Sequence, residues 1–72
     1  MIFTRRFAAH GQTREFTIEH ADSGWVAREH DDRSTRTSRI RDWRHVEATM
    51  VLFELKASAL RNEGWAELPT NA

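Results

Sequence analysis

The sequence predicts an α+β domain: a four-stranded antiparallel meander sheet with one long C-terminal helix packed on one face (ββββα). Three observations predict it. Turn signals divide the N-terminal half into strand-length pieces. Apolar residues alternate within those pieces. From Trp43 to Glu63, neither proline nor glycine interrupts the chain.

The turn signals are His10-Gly11-Gln12-Thr13, Ala21-Asp22-Ser23-Gly24 and Asp31-Asp32-Arg33-Ser34. Glycine, aspartate and serine favour turns through backbone freedom or local hydrogen bonds. Folding the second strand onto the third about Ser23 sets Phe16 opposite Glu29, Ile18 opposite Ala27 and His20 opposite Trp25. The next turn sets Trp25 opposite Ile40, and the first sets Phe7 opposite Phe16 and Phe3 opposite His20. Side chains alternate with a period of two, so one face collects Phe3, Phe7, Phe16, Ile18, Trp25, Ala27 and Ile40. Arg5 falls on that face as well, and near a sheet edge its stem can carry the charge out to water. The opposite face carries threonines with Arg6, Glu15, Glu19, Arg28, His30 and Arg39, and reads as the solvated side.

A sheet with one apolar face needs a cover. Asp42 is placed to cap the helix that supplies it, and Gly64 to stop it. The helix is then about twenty residues, or roughly 30 Å, long. At about 100° per residue, Trp43, Val46, Met50, Phe53, Ala57 and Leu60 form one stripe, which should face the sheet. A second stripe, Ala48, Val51, Leu52, Leu55 and Ala59, lies on the far side. Glu47, Glu54, Ser58 and Arg61 separate the stripes on one flank, and His45, Thr49, Lys56 and Glu63 on the other.

A two-layer monomer uses only one apolar stripe. A second one with three large aliphatics marks an interface, and its alternating steps of four and three are those of a helix–helix seam. The expectation is a homodimer packed through Ala48, Val51, Leu52, Leu55 and Ala59. The competing expectation is that the N-terminal strand, or Trp65 and Leu68 of the C-terminal tail, folds over the stripe. Residues 1–68 form one domain on this reading, and residues 69–72 a disordered tail.

A 72-residue chain buries a modest share of its surface, so it needs outside help with stability. It contains no cysteine, which removes disulfides and thiolate metal sites and suits the cytoplasm. Oligomerisation remains as the helper. Eleven basic residues balance eleven acidic ones, so no global charge draws the chain to nucleic acid or an anionic membrane. No segment approaches the ~20 apolar residues of a membrane span, and the N-terminus has no apolar run of the secretory type.

Candidate chemistry is sparse. His20 and His30 fall on opposite faces, and His10 and His45 complete no paired ligand spacing, so neither a metal site nor a cofactor is expected. His20 reads as a half-buried packing residue near Phe3 and Trp25. Asp31 and Asp32 sit in a turn, where aspartates cap local N–H groups. Gly11, Gly24 and Gly64 are isolated and form no phosphate cradle or nucleophile elbow. The reading is therefore non-enzymatic.

One local charge bias remains. Residues 28–44 hold six arginines against four acids. Arg28, Arg33, Arg36, Arg39 and Arg41, on and beside the third and fourth strands, could follow a phosphate backbone. The same arginines equally guard an edge strand against edge-to-edge pairing, and that reading is the stronger one. Single-strand binders stack bases on exposed aromatics. Here six of the seven aromatics fall on the core stripes, and Trp65 follows the helix stop.

Four strands followed by a dimerising helix, with Asp42-Trp43 as a polar cap and early helical tryptophan, resembles the layout of the positive cofactor four family of single-stranded-DNA-binding coactivators. The resemblance spans Met1 to Gly64 in topology and implies a dimer that binds DNA. The family's basic, aromatic strand surface has no counterpart here, so no binding residue is carried over. Gly24-Trp25, Asp42-Trp43 and Gly64-Trp65 are similar to a pattern in small uncharacterised bacterial proteins, which names no function. The sequence thus leads to a homodimeric interaction module with an unspecified protein partner. Weak binding of single-stranded DNA or RNA through the arginines is the alternative.

Overall fold

The computed structural model describes residues 2–69. Its elements are β1 (Phe3–Ala9), β2 (Gln12–Ala21), β3 (Gly24–Asp31), β4 (Thr35–Ile40), α1 (Trp43–Asn62) and β5 (Ala66–Leu68). The α+β class and the antiparallel meander are as predicted, but the sheet has five strands in the order β4-β3-β2-β1-β5. The added strand runs antiparallel to β1 and sets Arg6 opposite Leu68 and Phe7 opposite Glu67. β1 is therefore an inner strand. Arg5 does not escape over an edge; its guanidinium stacks 4.8 Å from the Phe3 ring centroid and pairs with Glu54 of α1 at 3.0 Å. The tail expected at residues 69–72 lies outside the described residues from position 70 on.

The β2–β3 and β3–β4 registers agree with the predicted ones, with Phe16 opposite Glu29 and Trp25 opposite Ile40. The first hairpin is shifted by two residues: Phe3 faces Ile18, Arg5 faces Phe16 and Phe7 faces Arg14. The cause is the turn. His10 (φ 53°) and Gly11 (φ 74°) both adopt left-handed backbone and form a two-residue turn closed by Ala9 and Gln12. Such turns match the twist of the strands they join. A shift of two leaves every side chain on its own face, so the core is unaffected.

That core is Phe3, Phe7, Phe16, Ile18, Ala27 and Ile40 from the sheet with Val46, Phe53, Ala57 and Leu60 from the helix. Phe53 sits over the sheet with its ring centroid 5.2 Å from Phe16 and 5.9 Å from Phe3. Three members of the expected core stripes stay outside the fully buried set, and Met50 is one of them, half-buried against it. Trp25 is half-buried, and Trp43, in the first turn of the helix, is 49 % exposed. The two tryptophan rings meet at 5.6 Å, tilted by 58° to each other, with Trp25 packed against the core. His20 is exposed rather than half-buried, with its ring 5.8 Å from Trp25.

The helix ends are closed by local chemistry. The Asp42 carboxylate accepts from the His45 amide at 2.9 Å. At the far end the Trp65 amide donates to the Leu60 carbonyl and the Gly64 amide to that of Arg61, with Gly64 at φ 94°. These two bonds satisfy the last helical carbonyls, and they turn the chain so that Trp65 packs on the core and leads into β5.

Candidate interaction surfaces

Two surfaces stand out from the residues upward: the outer stripe of α1 and the groove beside β4. The outer stripe is uncovered. Val51 is 61 % exposed, Leu52 48 % and Leu55 65 %, and Ala48 and Ala59 are exposed beside them. The described segments of the chain lie elsewhere. Trp65 packs against the core, and Leu68 lies opposite Arg6 in the sheet, so neither folds over the stripe. On one side the stripe opens into a shallow depression of about 430 Å³ lined by Glu47, Met50, Val51, Glu54 and Leu55.

Ion pairs along the flanks fix the helix to the sheet. Glu54 meets Arg5 at 3.0 Å, Lys56 meets Glu29 at 2.6 Å and Arg61 meets Glu67 at 2.9 Å. Glu29 has a second partner, Arg14, at 3.3 Å. It joins β2, β3 and α1 from the core side of the sheet, a role the sequence reading missed. The signal was there: the register that sets Glu29 opposite Phe16 places a charge on the apolar face.

The five candidate arginines do not form one patch. Arg28 lies on the outer sheet face and pairs with Glu19 at 3.4 Å. Arg39 lies opposite Val26 on that same face. Arg36 lies opposite Glu29 on the helix side, and Arg33 and Arg41 sit in the connections that flank β4. Among the described residues, Arg33, Arg36, Arg39 and Arg41 make no ion pair with a carboxylate. The helix does not cover β4: every residue of the strand except Ile40 is exposed, including Arg36 and Ser38 on its helix side. Between that strand and the helix runs a groove of about 230 Å³. It is walled by Arg36 and Ser38 on one side and by His45, Thr49, Leu52 and Lys56 on the other, over a floor of Ala27 and Phe53.

The Asp31–Ser34 turn is self-contained. Asp31 accepts from the amides of Arg33 at 2.8 Å and Ser34 at 2.9 Å. The Arg33 bond, followed by that of Ser34, holds its carboxyl below the usual carboxylate range. Asp32 accepts from the amide and hydroxyl of Thr13, which ties this turn to the start of β2. Both carboxylates are engaged by the local structure. The histidines are scattered: His10 in a turn, His20 beside Trp25, His30 bonded to Thr35, and His45 on the helix flank. Among the described residues, no group of three or more His, Cys, Asp or Glu side chains is arranged to hold a metal ion, and no helix is long and apolar enough to cross a membrane.

Comparison with family models, curated proteins and solved structures finds no match to this chain.

Proposed function

We propose that the protein is a non-enzymatic interaction module that works as a homodimer in the cytoplasm, joined through Ala48, Val51, Leu52, Leu55 and Ala59 of two antiparallel or crossed helices. The observation that carries this reading is the exposure of Val51, Leu52 and Leu55 as one patch on the helix face opposite the core. Large contiguous apolar patches on small domains mark association sites, and a domain of this size gains stability when such a patch is buried. The layout resemblance to the positive cofactor four family, whose helix dimerises, supports the same reading. Light scattering on the purified protein should give twice the chain mass of 8.4 kDa. The double substitution Leu52→Glu and Leu55→Glu should give the single mass while retaining helical circular dichroism. A clean monomer for the unaltered protein would refute the proposal.

A second reading is weak binding of single-stranded nucleic acid through Arg28, Arg33, Arg36, Arg39 and Arg41. The unpaired arginines around β4 favour it. Against it stand the division of those residues between two faces and, among the described residues, the absence of aromatics on the outer face. An oligonucleotide that causes no mobility shift at low salt would eliminate it, since phosphate-led binding is strongest there.

A further inference from the structure

The outer helix stripe does not account for the groove beside β4. Three features of that groove bear on what fits it. The first is the open edge: β4 pairs with β3 on one side only, so among the described residues its other row of backbone N–H and C=O groups has no strand partner. The second is length. His45, Thr49, Leu52 and Lys56 line the groove over twelve residues of helix, whose eleven steps are about 16 Å at 1.5 Å per residue. β4 has six residues, and its five steps span about 17 Å. The helical wall is therefore about as long as the strand, and the groove meets the strand at Arg36 and Ser38, alternate residues that an extended chain along β4 would also contact.

The third feature is charge. From Ser34 to Arg41 there are three arginines and no acid, with Arg33 just before. Lys56 on the far wall is tied to Glu29, and Glu29 is already held between two cations. Glu29 also lines the groove but is shared by Arg14 and Lys56, so the edge and groove keep a net positive charge from Arg36 and Arg39 beside a floor of Ala27 and Phe53 and the rim residue Leu52.

The geometry points to a partner-protein segment of extended, acidic sequence that adds along β4 as a sixth strand. Its backbone would pair with the open edge, the usual source of affinity in strand addition. Acidic side chains would lie beside Arg36 in the groove and Arg39 on the outer face. An apolar side chain beside Ser38 would contact Leu52. Arginines that served only to guard the edge would need no apolar-floored groove beside them.

The test uses the full chain, isotopically labelled, and a fluorescein-labelled peptide of about eight residues in extended register, with glutamates at the positions that would lie beside Arg36 and Arg39 and valine at the position that would lie beside Ser38. A lysine-for-glutamate peptide and oligothymidine of similar length are run in parallel. Saturable binding is expected for the glutamate peptide alone, weakening with salt as surface charge is screened. Amide shifts should concentrate in Thr35–Ile40 and at Thr49, Leu52 and Lys56. The double substitution Arg36→Glu and Arg39→Glu should lower affinity about tenfold, the effect of losing two surface charge contacts, with the thermal melt unchanged. If that variant melts early, Arg36→Gln with Arg39→Gln serves in its place. No saturable binding of the glutamate peptide, shifts confined to Val51 and Leu55, or tighter binding of oligothymidine would each overturn the proposal.

Discussion

Gly24→Ala should destabilise the protein far more than its chemistry suggests. Gly24 opens β3 at φ 144°, and a β-carbon there would overlap the backbone carbonyl oxygen of Ile40, with Arg41 Cα 3.3 Å away. The obstacle is backbone at the end of β4, so no rotamer change relieves it. Overpacking against a fixed neighbour costs about 1–3 kcal/mol, and a side chain at strongly positive φ adds about 1–2 kcal/mol. The sum, roughly 2–5 kcal/mol, compares with roughly 4–11 kcal/mol of total stability for a domain of this length. At about 4–8 °C per kcal/mol, the melting temperature should fall by about 8–40 °C. Gly11→Ala is the control. Gly11 also has positive φ, but nothing lies within 4 Å of its β-carbon position, so only the backbone term of about 1 kcal/mol applies. Thermal and urea unfolding followed by circular dichroism would measure both. If Gly24→Ala melts within a few degrees of Gly11→Ala, the close approach of β3 to Ile40 does not constrain the fold as argued.

Other consequences follow from the core and the turns. Phe53→Ala removes the ring that contacts both Phe3 and Phe16 and should cost about 3–5 kcal/mol, read as a lower urea midpoint. Asp31 has a lowered folded-state pKa because amide hydrogen bonds, first from Arg33, favour its charged form. Its contribution to stability is present above its ordinary value of 3.8 and is lost as pH falls through the lowered folded value. Asp31→Asn should therefore be less stable than the unaltered protein near neutrality, and the gap should close as the pH is taken below that range. A gap that stays constant into acid would refute the assignment.

The residues that made the fold legible were those with a strong local signal. Asp42 and Gly64 bound the helix because a cap and a left-handed stop are single-residue decisions. The Ser23 hairpin came out in register because its short turn leaves one way to align Ile18 with Ala27. His10 obscured the first hairpin: a non-glycine residue at φ 53° is uncommon, so the turn looked longer than it is. β5 was hidden for a different reason. The four residues between the helix stop and Pro69, three of them in the strand, are too few to show an alternation, and only the sheet edge that β1 would otherwise expose explains why they pair. The candidate surfaces were half legible. The outer stripe of α1 follows from helical spacing alone. The groove depends on how far the helix sits from β4, which no periodicity encodes.

The position of β5 also governs the order in which the molecule can assemble. Each hairpin of the meander joins residues that are neighbours along the chain, whereas Ala8 and Ala66 are paired across nearly sixty residues. Closing a flexible loop of that size costs on the order of 4 kcal/mol, so this contact cannot nucleate folding and is made late. The docked helix changes the cost, because once α1 lies across the sheet only Glu63 to Trp65 separate its end from the strand. Until then one edge of β1 is open. During synthesis the growing chain passes through a state in which the meander is complete and its first strand still has a free side to offer another chain.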